Sequence, residues 1–230
     1  MLEERTIDFQ LVTARDAATL RFPVRRLLCA GFSGRSQDAV QAHVRELAEL
    51  GMPAPDTTPI FFNLSHYLVT VATGISVLDR ATSGEVEFVL LFLNGGVYVT
   101  CGSDHTHREF ERHSIAASKQ MHSKVLAPML WNVSEVEAHW DRMVLRSWAT
   151  IDGVRRLYQE GTLGDIMEPG ALVAEAERRF GTLREDGTVF MSGTLPTMGG
   201  LVYADNLAFE LHDPVANRTI GHAYDVSILQ

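Results

Sequence analysis

Cysteine is scarce: Cys29 and Cys101 are the only two in 230 residues. Two are too few for a disulfide framework or a cysteine-ligated metal site, and they point to a reducing cytoplasm. Long apolar runs are missing as well. The stretch Phe88-Val89-Leu90-Leu91-Phe92-Leu93 falls far short of the roughly 20 residues that cross a bilayer, so no membrane partner is expected. The start, Met1-Leu2-Glu3-Glu4-Arg5-Thr6, has neither the basic nor the apolar region of a secretory signal. Positive charge is in deficit, with 20 Lys and Arg against 29 Asp and Glu and a net charge of −9. Without a concentrated basic face, nucleic acid is excluded as a partner. There is no glycine-rich loop of the Rossmann or Walker type, so nucleotide cofactors are not expected. Ser192 lies in Phe-Met-Ser-Gly-Thr rather than in a Gly-X-Ser-X-Gly elbow, which leaves serine-hydrolase chemistry without support.

What is present is an ordinary globular composition, 46% hydrophobic and 21% charged, in a chain long enough for one well-buried domain. We expect a single domain over 1–230, with strands and a helix in 1–58 and a β-rich body bearing the site in 59–230. Strands are expected at 6–12 and 22–30. Ser36 caps a helix whose apolar stripe runs through Val40, Val44, Leu47 and Leu50, stopped by Gly51 and Pro53. The proline-dense segment from Pro53 to Pro59 is a rigid connection. From 67 to 101, β-branched and aromatic residues with glycine punctuation predict a β-rich body. Residues 105–120 carry a short helix, and the capping-box pattern Ser134-Glu135-Val136-Glu137 opens another toward Trp140. A hairpin joins 144–151 to 154–158 across Asp152-Gly153. Pro169 to Phe180 forms an amphipathic helix ending at Gly181.

The chemistry concentrates around Glu85-Val86-Glu87. On a strand, alternation puts both glutamates on one face, where they repel unless something positive lies between them. A return strand through 97–101 brings Asp104 back toward the start of the first. Three convergent carboxylates, Glu85, Glu87 and Asp104, make a site for a hard divalent cation; the plain alternative is a solvated glutamate pair. His105, His107, His113 and His122 crowd around Asp104, but His-Thr-His lacks the spacing of zinc enzymes, and a carboxylate site is favoured. Arg108, four residues past Asp104, shares its face on a helix and either clamps a substrate carboxylate or only pairs with Asp104. Lys119 or Lys124 could stabilise an enolate or oxyanion. His66, among Phe61, Phe62 and Tyr67, is either a half-buried side chain or a base. The turn Ser192-Gly193-Thr194 offers backbone N–H groups and a hydroxyl to a carboxylate or oxyanion.

In this order, the motifs resemble the fumarylacetoacetate hydrolase superfamily over roughly residues 60–230. Glu85 and Glu87 match its strand glutamates, Asp104 its third metal carboxylate, Arg108 its substrate arginine and Gly193-Thr194 its late turn. The segments 207–214 and 219–226 resemble its final hairpin. Glu111 stands where that superfamily often has glutamine, either Lys119 or Lys124 matches its lysine, and Leu195-Pro196 replaces a proline directly after Gly-Thr. The phrases Gly-Ser-Asp-His-Thr, Ser-Lys-Gln and Leu-Tyr-Gln-Glu-Gly also resemble an uncharacterised bacterial family of this length. The resemblance implies an α+β, β-rich mixed fold with short flanking helices, Mg²⁺ or Mn²⁺ at Glu85, Glu87 and Asp104, and a homodimer. It further implies a small 2-oxo acid substrate, oriented by Arg108, Glu111, Gly193 and Thr194. The implied reaction is hydrolytic C–C cleavage of an acylpyruvate type through an enolate, with His66 activating water. A hydratase, decarboxylase or tautomerase of the same chemistry, or a non-catalytic binding protein, are the alternatives.

Overall fold

The computed structural model describes residues 5–49, 55 and 57–229. Leu50, the stops at Gly51 and Pro53, and residues 54 and 56 of the proline-dense segment lie outside the described residues. Two sheets dominate. The larger has ten strands, eight of them in the order Ala17–Val24, Arg5–Val12, Met129–Asn132, Gly96–Asp104, Val86–Leu93, Thr188–Met191, Arg26–Gly31 and Ile60–Leu64. Lys124–Leu126 joins it on Gly96–Asp104 and in turn holds Val69–Thr70. The smaller sheet orders Val154–Thr162, Val144–Ile151, Asn206–Asp213, Arg218–Ile228 and Gly74–Val77.

Val86–Leu93 is buried along its whole length, as a strand with no polar face must be. Its alternate residues serve two cores. Val86, Phe88, Leu90 and Phe92 pack with Trp140, Leu145, Phe209 and Tyr224 between the two sheets. Val89, Leu91 and Leu93 pack with Phe9, Phe22, Leu27 and Leu64 on the other face of the larger sheet. Glu87 has the parity of the second set, so a carboxyl group is held on the side of an apolar core, only 1% exposed.

The expected strand at 22–30 is two strands, Ala17–Val24 and Arg26–Gly31, and the hairpin of Ala17–Val24 with Arg5–Val12 was not anticipated. The chain breaks there because Arg25 and Arg26 both turn their backbone N–H groups onto the Gly187 carbonyl. Pro23 is tolerated because Ala17–Val24 lies at the sheet edge, where a missing N–H costs no ladder bond. The helix expected over 105–120 is two short ones, Arg108–Glu111 and Ile115–Gln120; Ser114 caps the second by accepting the Ala117 N–H at 3.2 Å. The segment opened by Ser134 forms 3-10 turns over Val133–Glu135 and Glu137–Arg142. The hairpin turn at Asp152-Gly153 has positive φ at both residues, the primed geometry that matches strand twist. The helix Gln37–Glu49 has Ser36 at its start, and Pro169–Phe180 ends at Gly181 with φ +74°.

Candidate active site

Strand register assembles the site. Glu87 lies opposite Gly102 and Val86 opposite Ser103, and one step further the Asp104 N–H donates to the Glu85 carbonyl at 3.0 Å. On its other side Asp104 is paired with Lys124 of Lys124–Leu126. Glu85, Asp104 and Lys124 therefore form a row across adjacent chain segments. Lys119 reaches the same carboxylate from the last turn of Ile115–Gln120. Both candidate lysines reach Asp104: the Lys119 ammonium contacts Oδ2, and that of Lys124 sits 2.8 Å from Oδ1. Lys124 also donates to the carbonyls of His105, at 2.7 Å, and Lys119, at 2.6 Å, which fully occupies a compact three-donor head.

Burial alone would push the Asp104 carboxyl up, but the Lys119 and Lys124 ammonium groups outweigh it and hold it well below the usual carboxylate range. Burial likewise works against the Lys119 charge, and Asp104 and then Glu87 more than restore it. Glu87 goes the other way. Burial first and the Asp104 charge second push its carboxyl well above the ordinary value, against the pull of Lys119 and the Gly193 N–H. Two neighbouring buried carboxyls are thus driven apart, one fixed as an anion and one held toward its neutral form.

Arg108 does not share a helix face with Asp104, because Asp104 ends a strand and the helix begins only at Arg108. Its guanidinium instead binds Glu85 at 2.9 Å, Glu111 at 3.2 Å and the Ser83 hydroxyl at 2.6 Å. Burial opposes its charge, and Glu85 and Glu111 override it and raise its pKa. The late turn is spent on the protein itself. The Gly193 N–H donates to Glu87 Oε2 at 2.9 Å, while the Thr194 hydroxyl donates to the Val86 carbonyl at 2.8 Å and accepts from Gln159. His66 is half-buried in the 3-10 turn His66–Leu68 with its ring against Tyr67. Its segment meets the cluster through other residues: Phe62 lies under the Lys119 ammonium, and the Ser65 N–H donates to Gln120.

Gly193 holds φ +84°, and a Cβ there would overlap the Ser33 hydroxyl, itself bonded to the Ser192 carbonyl. Gly193→Ala is therefore expected to lose about 1–3 kcal/mol of stability, read as a lower midpoint in urea. An unchanged midpoint would mean that the turn relaxes freely.

The histidines bond to other side chains and stack their rings on one another. His105 Nδ1 lies 2.9 Å from the Tyr224 hydroxyl, and His107 Nε2 lies 3.1 Å from Asp79. The His122 ring is stacked on His107 and edge-on to His105, and the Nε2 atoms of His105 and His122 are buried without a hydrogen-bond partner. Burial, then Lys124 and His107, lower the His122 pKa from 6.5 to about 4, against the weaker opposite pull of Asp79. Between those values the unfolded chain takes up a proton that the folded chain refuses. This contribution to stability is complete above about pH 6.5 and is lost as the pH falls toward 4, on the order of 2–3 kcal/mol. Urea unfolding at pH 7.0 and about pH 4.5 should show this difference in the wild type and a smaller one in His122→Asn. Equal differences would remove His122 from the account.

Three carboxylates on neighbouring chain positions are apt chemistry for a hard cation. Here, however, protein cations hold both Asp104 oxygens and the nearer Glu85 oxygen. No group of three or more His, Cys, Asp or Glu side chains among the described residues is disposed to hold a metal ion. The arrangement does not fit a resident divalent ion. A cavity lined by Leu90, Phe92, Trp140 and Arg142 lies on the opposite face of the same strand from Glu87, so it is not part of this site.

A family model described as a protein of unknown function (DUF2848) matches residues 30–224. The chain belongs to the DUF2848 family. Among solved structures, this DUF2848 chain is similar to 2-keto-3-deoxy-D-arabinonate dehydratase in its apo form, with TM-score 0.64 and 15% identity over 95% of this chain and 78% of that one. The same dehydratase complexed with magnesium and 2,5-dioxopentanoate gives 0.62 and 16% over the same shares. A fumarylacetoacetate hydrolase from psychrophilic Exiguobacterium antarcticum gives 0.59 and 16% over 94% of this chain and 80% of that one. At such identities the likeness establishes the fold, which is fumarylacetoacetate-hydrolase-like and α+β, as the motif order implied. No protein of curated function matched.

Several site residues of this DUF2848 chain escaped sequence reasoning. Gln159 is fully buried and ties together the Val86 N–H, the Ser147 and Thr194 hydroxyls and the Leu195 carbonyl. Tyr224 links Ser103 and His105, Ser83 holds Arg108, and the buried Cys29 thiol feels the charges of Asp104, Lys124, Glu87 and Lys119. Gln159 alone carried a signal, standing one residue past the hairpin expected over 144–158, in the phrase Leu-Tyr-Gln-Glu-Gly. The others depend on partners 25 to 121 residues away in sequence.

Proposed function

We propose that this protein is an enzyme that acts on a small 2-oxo acid by forming its enolate, and that it belongs to the lyase or tautomerase side of that chemistry. The observation that carries the reading is the Asp104–Lys119–Lys124 ion cluster beside Glu87, where charge is buried at a cost that packing alone does not require. The Lys119 ammonium supplies positive charge for the developing enolate oxygen, while Lys124 stays on Asp104 and two carbonyls. Glu87, its proton affinity raised by burial and by Asp104, takes the proton from the substrate carbon next to the 2-oxo group in its carboxylate form and returns it from the carboxylic acid so formed. Arg108 receives the substrate carboxylate. Of its two acidic partners, Glu111 makes the longer contacts, 3.2 and 3.5 Å against 2.9 Å for Glu85, and is the one displaced. Elimination or tautomerisation is favoured over hydrolytic C–C cleavage because His66, the imidazole expected to activate water, packs on Tyr67. A homodimer is part of the same proposal.

The direct test is proton exchange. With acylpyruvates and other small 2-oxo acids in D₂O, NMR should show enzyme-dependent deuterium entry at the carbon next to the 2-oxo group, and product analysis then separates elimination and tautomerisation from hydrolysis. No exchange with any such acid would sink the reading. Glu111→Gln removes the carboxylate that competes for Arg108 and should lower KM about three- to tenfold, roughly the worth of one hydrogen bond, with a smaller effect on kcat. A raised KM would make Glu111 a substrate contact instead.

A further inference from the structure

We propose that the Lys119 ammonium is a resident cation, filling the place among Glu85, Glu87 and Asp104 that a divalent ion would take, so that this chain holds no divalent metal there. The inference deepens the reading of the same site by naming its cation. It is tested by metal binding alone, and so stands or falls apart from the substrate.

Buried carboxyl groups on neighbouring positions either shift toward the neutral form, as Glu87 does, or need positive charge beside them, as Glu85 and Asp104 do, and a fold can supply that charge as an ion or as a side chain. Here the chain supplies it. Lys119 is 7% exposed, lies over the Phe62 ring at 5.8 Å, and directs its ammonium at Asp104 Oδ2. The helix that carries it is pinned at both ends, by the Ser114 cap and by Gln120, whose side chain accepts the Ser65 N–H at 3.0 Å and donates to the Tyr67 hydroxyl. The Lys119 carbonyl accepts from the Lys124 ammonium at 2.6 Å, so the two lysines are locked together around one carboxylate. Arg108 closes the remaining side by holding Glu85 and Glu111. Four carboxyl groups thus meet three fixed protein cations. A divalent ion entering this group would be repelled by an ammonium that has no solvent to retreat into, unless Lys119 first left Asp104. Removing the Lys119 charge while keeping its apolar stem leaves Asp104 Oδ2 and Glu87 facing the vacated space. The prediction is that metal affinity is latent in these carboxylates and is suppressed by one residue.

The full-length protein, stripped with chelator and dialysed, is titrated with Mn²⁺ while free Mn²⁺ is followed by electron paramagnetic resonance, with Mg²⁺ as competitor. The wild type should take up no Mn²⁺ at this site up to about 1 mM. Lys119→Met should bind it at least tenfold more tightly than that limit, and the added change Asp104→Asn should abolish the gain. Lys119→Gln gives the same comparison if the methionine variant does not fold. Wild-type binding that Asp104→Asn removes, or folded Lys119 variants that still refuse Mn²⁺, would overturn the proposal.

Discussion

Asp104→Asn is expected to cost the fold about 3–5 kcal/mol, because it leaves the ammonium groups of Lys119 and Lys124 buried without their counter-charge. Both side chains are almost completely enclosed, with Lys124 at 0% exposure, so water cannot replace the carboxylate. Asparagine keeps the shape and one acceptor oxygen, which isolates the charge as the cause. At about 2–4 °C per kcal/mol for a chain of this size, the melting midpoint should fall by roughly 6–20 °C. Adding Lys119→Met to Asp104→Asn removes one of the stranded charges and should recover part of the loss; the double-mutant cycle then reports the pair directly. A loss below about 1 kcal/mol, the scale of an exposed ion pair, would mean that the cluster opens to solvent.

Glu87→Gln is expected to lower kcat for 2-oxo acid enolisation by about 10²–10⁴, the range of a positioned acid–base group, while leaving the protein as stable as the wild type or more so. The two effects point in opposite directions for one reason. Burial and Asp104 raise the Glu87 pKa, so its carboxyl folds more readily neutral than charged. A group whose folded pKa lies above its unfolded value contributes stability below the unfolded value and loses it as the pH rises through the folded one. Glutamine removes that titration and keeps an acceptor for the Gly193 N–H, now at 2.9 Å from Glu87. The advantage of Glu87→Gln in urea should therefore grow as the pH is raised above about 4.5, the ordinary glutamate value. A variant that loses both activity and stability would make Glu87 a structural anchor of the late turn.

Local sequence was enough where one physical rule acts alone. The alternation of Val86–Leu93 sets the parity of Glu87, and the return strand brings the Asp104 N–H to the carbonyl of Glu85, which lies just before the strand. The helix Pro169–Phe180 and the hairpin over Asp152-Gly153 followed from period and turn chemistry in the same way. Arg108 was misplaced because an i, i+4 argument assumes one continuous helix, and here the chain changes from strand to helix between Asp104 and Arg108.

By itself the sequence determined which charges this protein carries, that they crowd around one strand pair, and that the fold resembles fumarylacetoacetate hydrolase. Tertiary structure alone decided how those charges neutralise one another. Lys119, Lys124 and Asp104 form a closed pairing, Arg108 turns to Glu85 and Glu111, and Gly193 gives its N–H to a carboxyl group 106 residues away. The reason is one of range. Periodicity and capping are set by neighbours within a few residues, whereas in a medium without water each buried charge must find a partner wherever strand register brings one.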